Sequence, residues 1–168
     1  VHKLTLTTEG DRHVVVTRRF AAPPELVYRA HTEAALVQQW MLGPDGWTMP
    51  VCLSDPRPGG RIRYEWADGS GRGFFLTGEF VELVPYSRIV HIERMHLPMA
   101  TTPDNRVDTT FAAEGGGTLM TMRMTLPSAE VRAAMLSTGM ERGMEASYAR
   151  LEGLPSMQAL ADEVRRDR

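Results

Sequence analysis

A chain of 168 residues, 42% hydrophobic and 24% charged with a net charge of −2, is long enough for one domain with a single core and too short for two ordinary ones. That balance leaves no basic excess for nucleic acid. No apolar run approaches the roughly 18 residues of a membrane span, and the N-terminus VHKLTLTTEGDR lacks the apolar centre of a signal peptide, so a cytoplasmic location is expected.

The first strand signal is His13 to Phe20, where Val14, Val16 and Phe20 alternate with His13, Thr17 and Arg19. Two short helices follow: Glu25 to His31, with Pro24 tolerated at its start, and Glu33 to Gln39, which turns Leu36, Val37 and Trp40 inward. Trp47 to Leu53 alternates again, as does Arg61 to Trp66 with Ile62, Tyr64 and Trp66 in phase. Asp55 to Gly60 (DPRPGG) and Asp68 to Gly71 (DGSG) are turns. Gly73 to Val84 is the longest strand, and its change of phase at Thr77 and Gly78 predicts a bulge there. Ile89 to His96, Val107 to Glu114 and Thr118 to Leu126 complete the strands. The last carries Met120, Met122, Met124 and Leu126 on one face.

Ser128 to Leu154 predicts one long helix, capped by Ser128 and ended by Gly153. Leu136, Met140, Met144, Ser147, Leu151 and Leu154 share one face, whereas Val131 and Met135 fall out of register, so a kink is expected between Ser137 and Gly139. Gly139 and Gly143 each weaken such a helix by about 0.8–1.0 kcal/mol relative to alanine. Close backbone packing against the sheet is the expected reason, and room beside the helix for a ligand the alternative. Beyond residues 1–155, taken as the single domain, 156–168 is expected to be a charged tail with little apolar surface that adds a short helix or frays. The order of elements predicts an α+β helix-grip fold: a curved antiparallel sheet of about seven strands and two short helices wrapped around a long C-terminal helix.

The chemistry-bearing residues are sparse. Cys52, the single cysteine, excludes an internal disulfide and a cysteine-based zinc site. The five histidines form no His-x-His or His-x-x-x-His pair, so no metal is expected. No phosphate loop, dinucleotide fingerprint or serine elbow is present, so no cofactor is expected and the catalytic residues stay unknown. His91 and Glu93 share one face of a strand, about 7 Å apart. Val90 and Ile92 hold the other face, which makes the outward orientation of the pair the expected one. Eleven methionines against five phenylalanines and three tryptophans hint at a surface able to adapt to varied partners.

Several stretches are specific: RFAAPPELVY (Arg19 to Tyr28), the Gln39–Trp40 pair, DPRPGG (Asp55 to Gly60), GEFVELVPYSRIV (Gly78 to Val90), GGTLMT (Gly116 to Thr121) and MERGMEASYARL (Met140 to Leu151). With the element order, they resemble the START-like or Bet v 1-like superfamily, SRPBCC, in the branch similar to the C-terminal domain of the Hsp90 ATPase activator. Two departures are Met144, where the family usually has tryptophan, and Met41, where an aromatic often follows Trp40. The resemblance implies a deep cavity between sheet and long helix for a lipid, sterol, polyketide or other small apolar or amphipathic molecule, and Trp40, Trp47, Tyr64, Trp66, His91, Met120, Met122, Met124, Met140, Met144 and Tyr148 are the expected ligand-binding residues. Binding without catalysis is the expected function. A cavity enzyme of the cyclase, dehydratase or hydrolase type is the alternative, and a co-chaperone-like interaction module a further one.

Overall fold

A computed structural model describes residues 2–167. Eight strands, β1 (Thr5–Glu9), β2 (His13–Phe20), β3 (Thr48–Ser54), β4 (Arg61–Ala67), β5 (Gly73–Val84), β6 (Arg88–His96), β7 (Asn105–Glu114) and β8 (Gly117–Thr125), form one sheet. Its order is β1-β2-β8-β7-β6-β5-β4-β3, every pair is antiparallel, and the curved sheet stays open between edge strands β1 and β3. Helices α1 (Pro24–Thr32) and α2 (Ala34–Trp40) carry the chain from β2 to the far edge. Then α3 (Ala129–Leu136), α4 (Met140–Glu152) and α5 (Pro155–Arg166) follow β8. This is the α+β helix-grip architecture. No helix among the described residues is long and apolar enough to cross a membrane.

The eighth strand is β1. Its sequence TLTTE offers one apolar residue, Leu6, and pairing with β2 on a single side leaves most of it in solvent. Polar edge strands give little alternation to read. The bulge in β5 lies between Phe80 and Glu82 rather than at Thr77 and Gly78. Gly78 has a different reason: a Cβ there would stand 2.5 Å from the Ile92 carbonyl oxygen of β6.

The expected kink is a complete break. Ser128 caps α3 by accepting from the Val131 N–H at 3.2 Å, while the Ser137 and Thr138 hydroxyls donate to the Ala134 and Met135 carbonyls at 2.7 and 2.6 Å. Gly139 then turns left-handed, φ +78°, and becomes the N-cap of α4. Only glycine adopts that conformation freely. The new start restores the stripe of Met140, Met144, Ser147 and Leu151 toward the core.

Gly143 corrects the other helix expectation, since its backbone is not pressed against the sheet. A Cβ would meet only the Pro44 Cδ, at 3.9 Å, an ordinary contact. Gly143→Ala is therefore expected to stabilise the protein by about 0.5–1 kcal/mol through helix propensity. A urea titration checks this, and destabilisation would show that Pro44 cannot accept the methyl group.

Two anchors hold α4 across the concave face of the sheet. Tyr148 stacks on Trp40 of α2 (5.6 Å) and meets Phe20 of β2 edge-on (5.7 Å). Arg18, on β2, reaches both Glu145 and Glu152. Arg150 fixes the loop after α2, donating to the Trp40 and Gly43 carbonyls at 3.0 and 3.2 Å. The charged tail forms a helix, α5, and, against the expectation of little apolar surface, docks on the domain. There Met157 is 5% exposed, Leu160 and Ala161 pack on the core, and the helix lies against α1. Those apolar residues recur at helical spacing among the charges, so the segment buries one face.

Candidate functional site

Cross-strand register decides which side chains enter the grip, because directly opposed residues share a face. Val14 and Val16 of β2 are fully buried, and they pair with Met124 and Met122 of β8. Met124 pairs with Val107 of β7, which pairs with His91 of β6; one step along, Asn105 pairs with Glu93. His91 and Glu93 therefore face inward, on the concave side, against expectation. Val90 is buried, yet it opposes Asp108 on the convex side. The mixed character of β6 hides this. Continuing across the sheet, Phe80 and Leu76 of β5 and Tyr64 and Trp66 of β4 join the same face.

One end of the grip is packed shut. Its residues include three of those expected at the ligand: Trp40, whose indole N–H donates to the Ala30 carbonyl at 2.8 Å, Met120 and Tyr148, respectively 1%, 0% and 5% exposed. Burial, augmented by the nearby Glu93 charge and opposed by Arg18, pushes the Tyr148 phenol well above its ordinary range.

The other end lies beneath α3 and the first turns of α4. Met122, Met140, Met144, Trp47 and Met95 pack on the core and still keep part of their surface in solvent. Inward-facing side chains that remain partly wet mark an opening. Trp66 and Tyr64 form its wall: the Trp66 indole N–H donates to the Met41 carbonyl at 2.8 Å, and Phe74 stacks on Trp66 at 4.9 Å and meets Trp47 at 5.2 Å. Met124, 5% exposed, lies in the floor. Of the expected binding residues, the structure thus brings Trp47, Tyr64, Trp66, His91, Met122, Met124, Met140 and Met144 to this end.

The floor of the opening is polar. His91 Nε2 lies 3.1 Å from a Glu93 carboxylate oxygen, with the two side chains 20% and 19% exposed. With Nε2–H donating to Glu93, a neutral imidazole presents Nδ1 as an acceptor. That Nδ1 is buried without a hydrogen-bond partner, and so are Asn105 Oδ1 and His31 Nε2. His31 Nδ1–H donates to the Val27 carbonyl at 2.7 Å, so its Nε2 is also a bare acceptor. Burial drives the His31 pKa down to about 4, the Val27 hydrogen bond opposes this, and His91 lowers it further; the ring is neutral at pH 7.

Neither Asn105 nor His31 is among the residues expected at the ligand. Asn105 continues the alternation of Val107, Thr109 and Phe111 on β7, and that phase could have revealed it. Nothing in the sequence around His31 indicates that its helix points it at the centre of the sheet. Cys52 opposes Tyr64 in register, and burial pushes its thiol up to about 11, so it is no nucleophile at neutral pH. A separate hollow of about 360 Å³ lies near Arg19, Phe20 and Gly115–Thr118. The exposed Arg19–Glu114 ion pair (2.7 Å) lines it, and its lining includes no residue of this polar floor.

Residues 21–155 match the family model described as activator of Hsp90 ATPase homolog 1-like protein. No curated protein matches the sequence. Among solved structures, a protein from Rhodobacter sphaeroides is 29% identical with a TM-score of 0.83, the alignment covering 89% of this chain and 96% of that one. One from Nitrosomonas europaea is 23% identical with a TM-score of 0.77, covering 90% and 99%. A third, from Mycobacterium smegmatis, is 20% identical with a TM-score of 0.80, covering 90% and 95%.

Proposed function

Since the chain belongs to the family of activator of Hsp90 ATPase homolog 1-like proteins, a ligand-binding or interaction domain in general terms, we propose that it binds a small amphipathic molecule between the sheet and α3–α4, without catalysis. The carrying observation is the set of three buried acceptors, His31 Nε2, His91 Nδ1 and Asn105 Oδ1, that find no hydrogen-bond partner. Each such group destabilises a fold by about 1–3 kcal/mol. A ligand with a donor at its polar end and an apolar body would satisfy them while covering Met122, Met140 and Met144. Flexible methionines suit a site that adapts to the shape of that body.

The second reading is proton transfer. Glu93 orients His91 through Nε2, leaving Nδ1 toward the interior, the arrangement of a general base. No activated nucleophile accompanies it, since the Cys52 thiol is protonated at neutral pH, so binding is the favoured reading. A partner protein and a cytoplasmic setting remain compatible with both.

Met144→Trp is the test. If Met144 borders free space, the larger ring fills it, and binding of a fluorescent apolar probe should fall about tenfold with stability changed by less than about 1 kcal/mol. Destabilisation of about 1–3 kcal/mol, with no probe bound by the parent protein, would show overpacking of a filled core and overturn the proposal.

A further inference from the structure

The polar floor has a sign. Beneath the opening stand the Glu93 carboxylate and the unpartnered acceptors of His91 and Asn105, while that of His31 lies against Trp40 and Tyr148 of the packed end. The strands supply no free cation to balance them. Among the described residues, Arg88, Arg94 and Arg106 alternate with Ile89, His91 and Glu93 or pair with their outward neighbours, which sets them on the convex face. Arg123 opposes Val15 and joins them there. Arg18 alone of the strand arginines is on the concave face, and its donors are committed to Glu145, Glu152 and the carbonyls of His2 and Arg19.

An anionic head at this floor would meet one carboxylate and two lone pairs, with neutral donors such as the Asn105 amide N–H in place of a cation. A cationic donor would meet three acceptors, Glu93, His91 Nδ1 and Asn105 Oδ1, in a region where reduced solvent access strengthens both charge and hydrogen bonding. From this geometry we propose that the opening selects a ligand whose polar end is a protonated amine on an apolar body. The inference rests on the amphipathic-ligand reading and assigns the chemical class of its head. Glu93 is the charge-bearing contact, His91 and Asn105 complete the shell of a primary ammonium, and the methionines and Trp47 hold the alkyl or aryl body.

Three probes of one chain length separate the possibilities: decylamine, decanol and decanoate, each competing with a bound fluorescent apolar dye at about pH 7, where the amine is protonated and the acid ionised. Decylamine should displace the dye at a concentration about tenfold or more below that of decanoate, a difference of one charge-assisted hydrogen bond. Glu93→Gln, which keeps the shape and removes the charge, should weaken decylamine about tenfold and leave decanol within about twofold. If decanoate competes as well as decylamine, or if Glu93→Gln leaves decylamine unchanged, the assignment of the head is overturned while the binding site stands. If the dye itself does not bind, the amphipathic-ligand reading fails, and this inference with it.

Discussion

Arg18→Ala is expected to destabilise the protein by about 3 kcal/mol, the low end for breaking a buried ion pair. The guanidinium is 1% exposed and makes a fork to Glu145, both contacts 3.1 Å, a third bond of 3.1 Å to Glu152, and bonds of 3.2 Å to the Arg19 and His2 carbonyls. Its charge also lies 4.9 Å from the Phe20 ring centroid. Removing it leaves two carboxylates on one helix face, two turns apart, with their shared cation gone. Both carboxylates stay about a quarter exposed, 26% and 25%, and can retreat to water, which keeps the loss at the low end of the range. The same two glutamates accept from the Leu4 and Ala21 backbone N–H groups at 2.9 and 3.1 Å, so the N-terminal segment and the entry to α1 should loosen together with α4. Urea midpoints at neutral pH read the loss. A value below about 1 kcal/mol would mean that the cluster behaves as an ordinary surface network.

This cluster has an acid signature. Burial raises the carboxyls of Glu145 and Glu152, but hydrogen bonds, to Arg18 and Leu4 N–H in the first and to His2, Ala21 N–H and Arg18 in the second, together with the Arg18 charge, bring both below the ordinary glutamate value. Groups lowered on folding contribute fully above their unfolded value, about 4.5 here, and the contribution is lost as pH falls through the folded one.

How far the sequence specifies this molecule differs from element to element. The methionine strand was legible because Met120, Met122 and Met124 at every second position of β8, with Leu126 just beyond it, admit only one inward face. β6 was not, since RIVHIERMH has apolar residues in both phases, and only pairing with β7, a dozen or more residues away, sets His91 and Glu93 inside. The helix could be delimited from its caps, but the left-handed turn at Gly139 that separates α3 from α4 is one of several conformations glycine permits. Gly143 was misread because helix propensity reports the penalty of a glycine and says nothing about what stands opposite it. The unpartnered acceptors lie beyond sequence reasoning altogether. Whether Asn105 Oδ1 or His31 Nε2 finds a donor depends on three elements brought together from distant parts of the chain. The residues that make the site polar are thus the ones least visible in the sequence, and those that make it apolar the most.

Lowering the pH from about 6.5 to about 4 should remove about 3 kcal/mol of stability through His31 alone. The sign follows from the folded state holding the ring neutral. Above about 6.5 neither state binds the proton; between that value and about 4 the unfolded chain takes it up and the native chain does not, so unfolding becomes progressively easier. Below about 4 both states are protonated and the loss levels off, while the loss of the carboxylate contributions of Glu145 and Glu152 continues. His31→Phe separates the two. The ring already sits among Trp40, Phe111 and Tyr148 at centroid distances of 4.9, 5.2 and 6.3 Å, and the Val27 carbonyl it releases keeps its place in the α1 hydrogen-bond ladder, so the variant should fold at neutral pH. Its urea midpoint should then hold nearly constant from about pH 6.5 to 5, where the parent loses about 2 kcal/mol. Parallel pH profiles for the two proteins would show that His31 is reached by solvent and charges freely in the native state, and the acceptor assigned to its Nε2 would disappear with it.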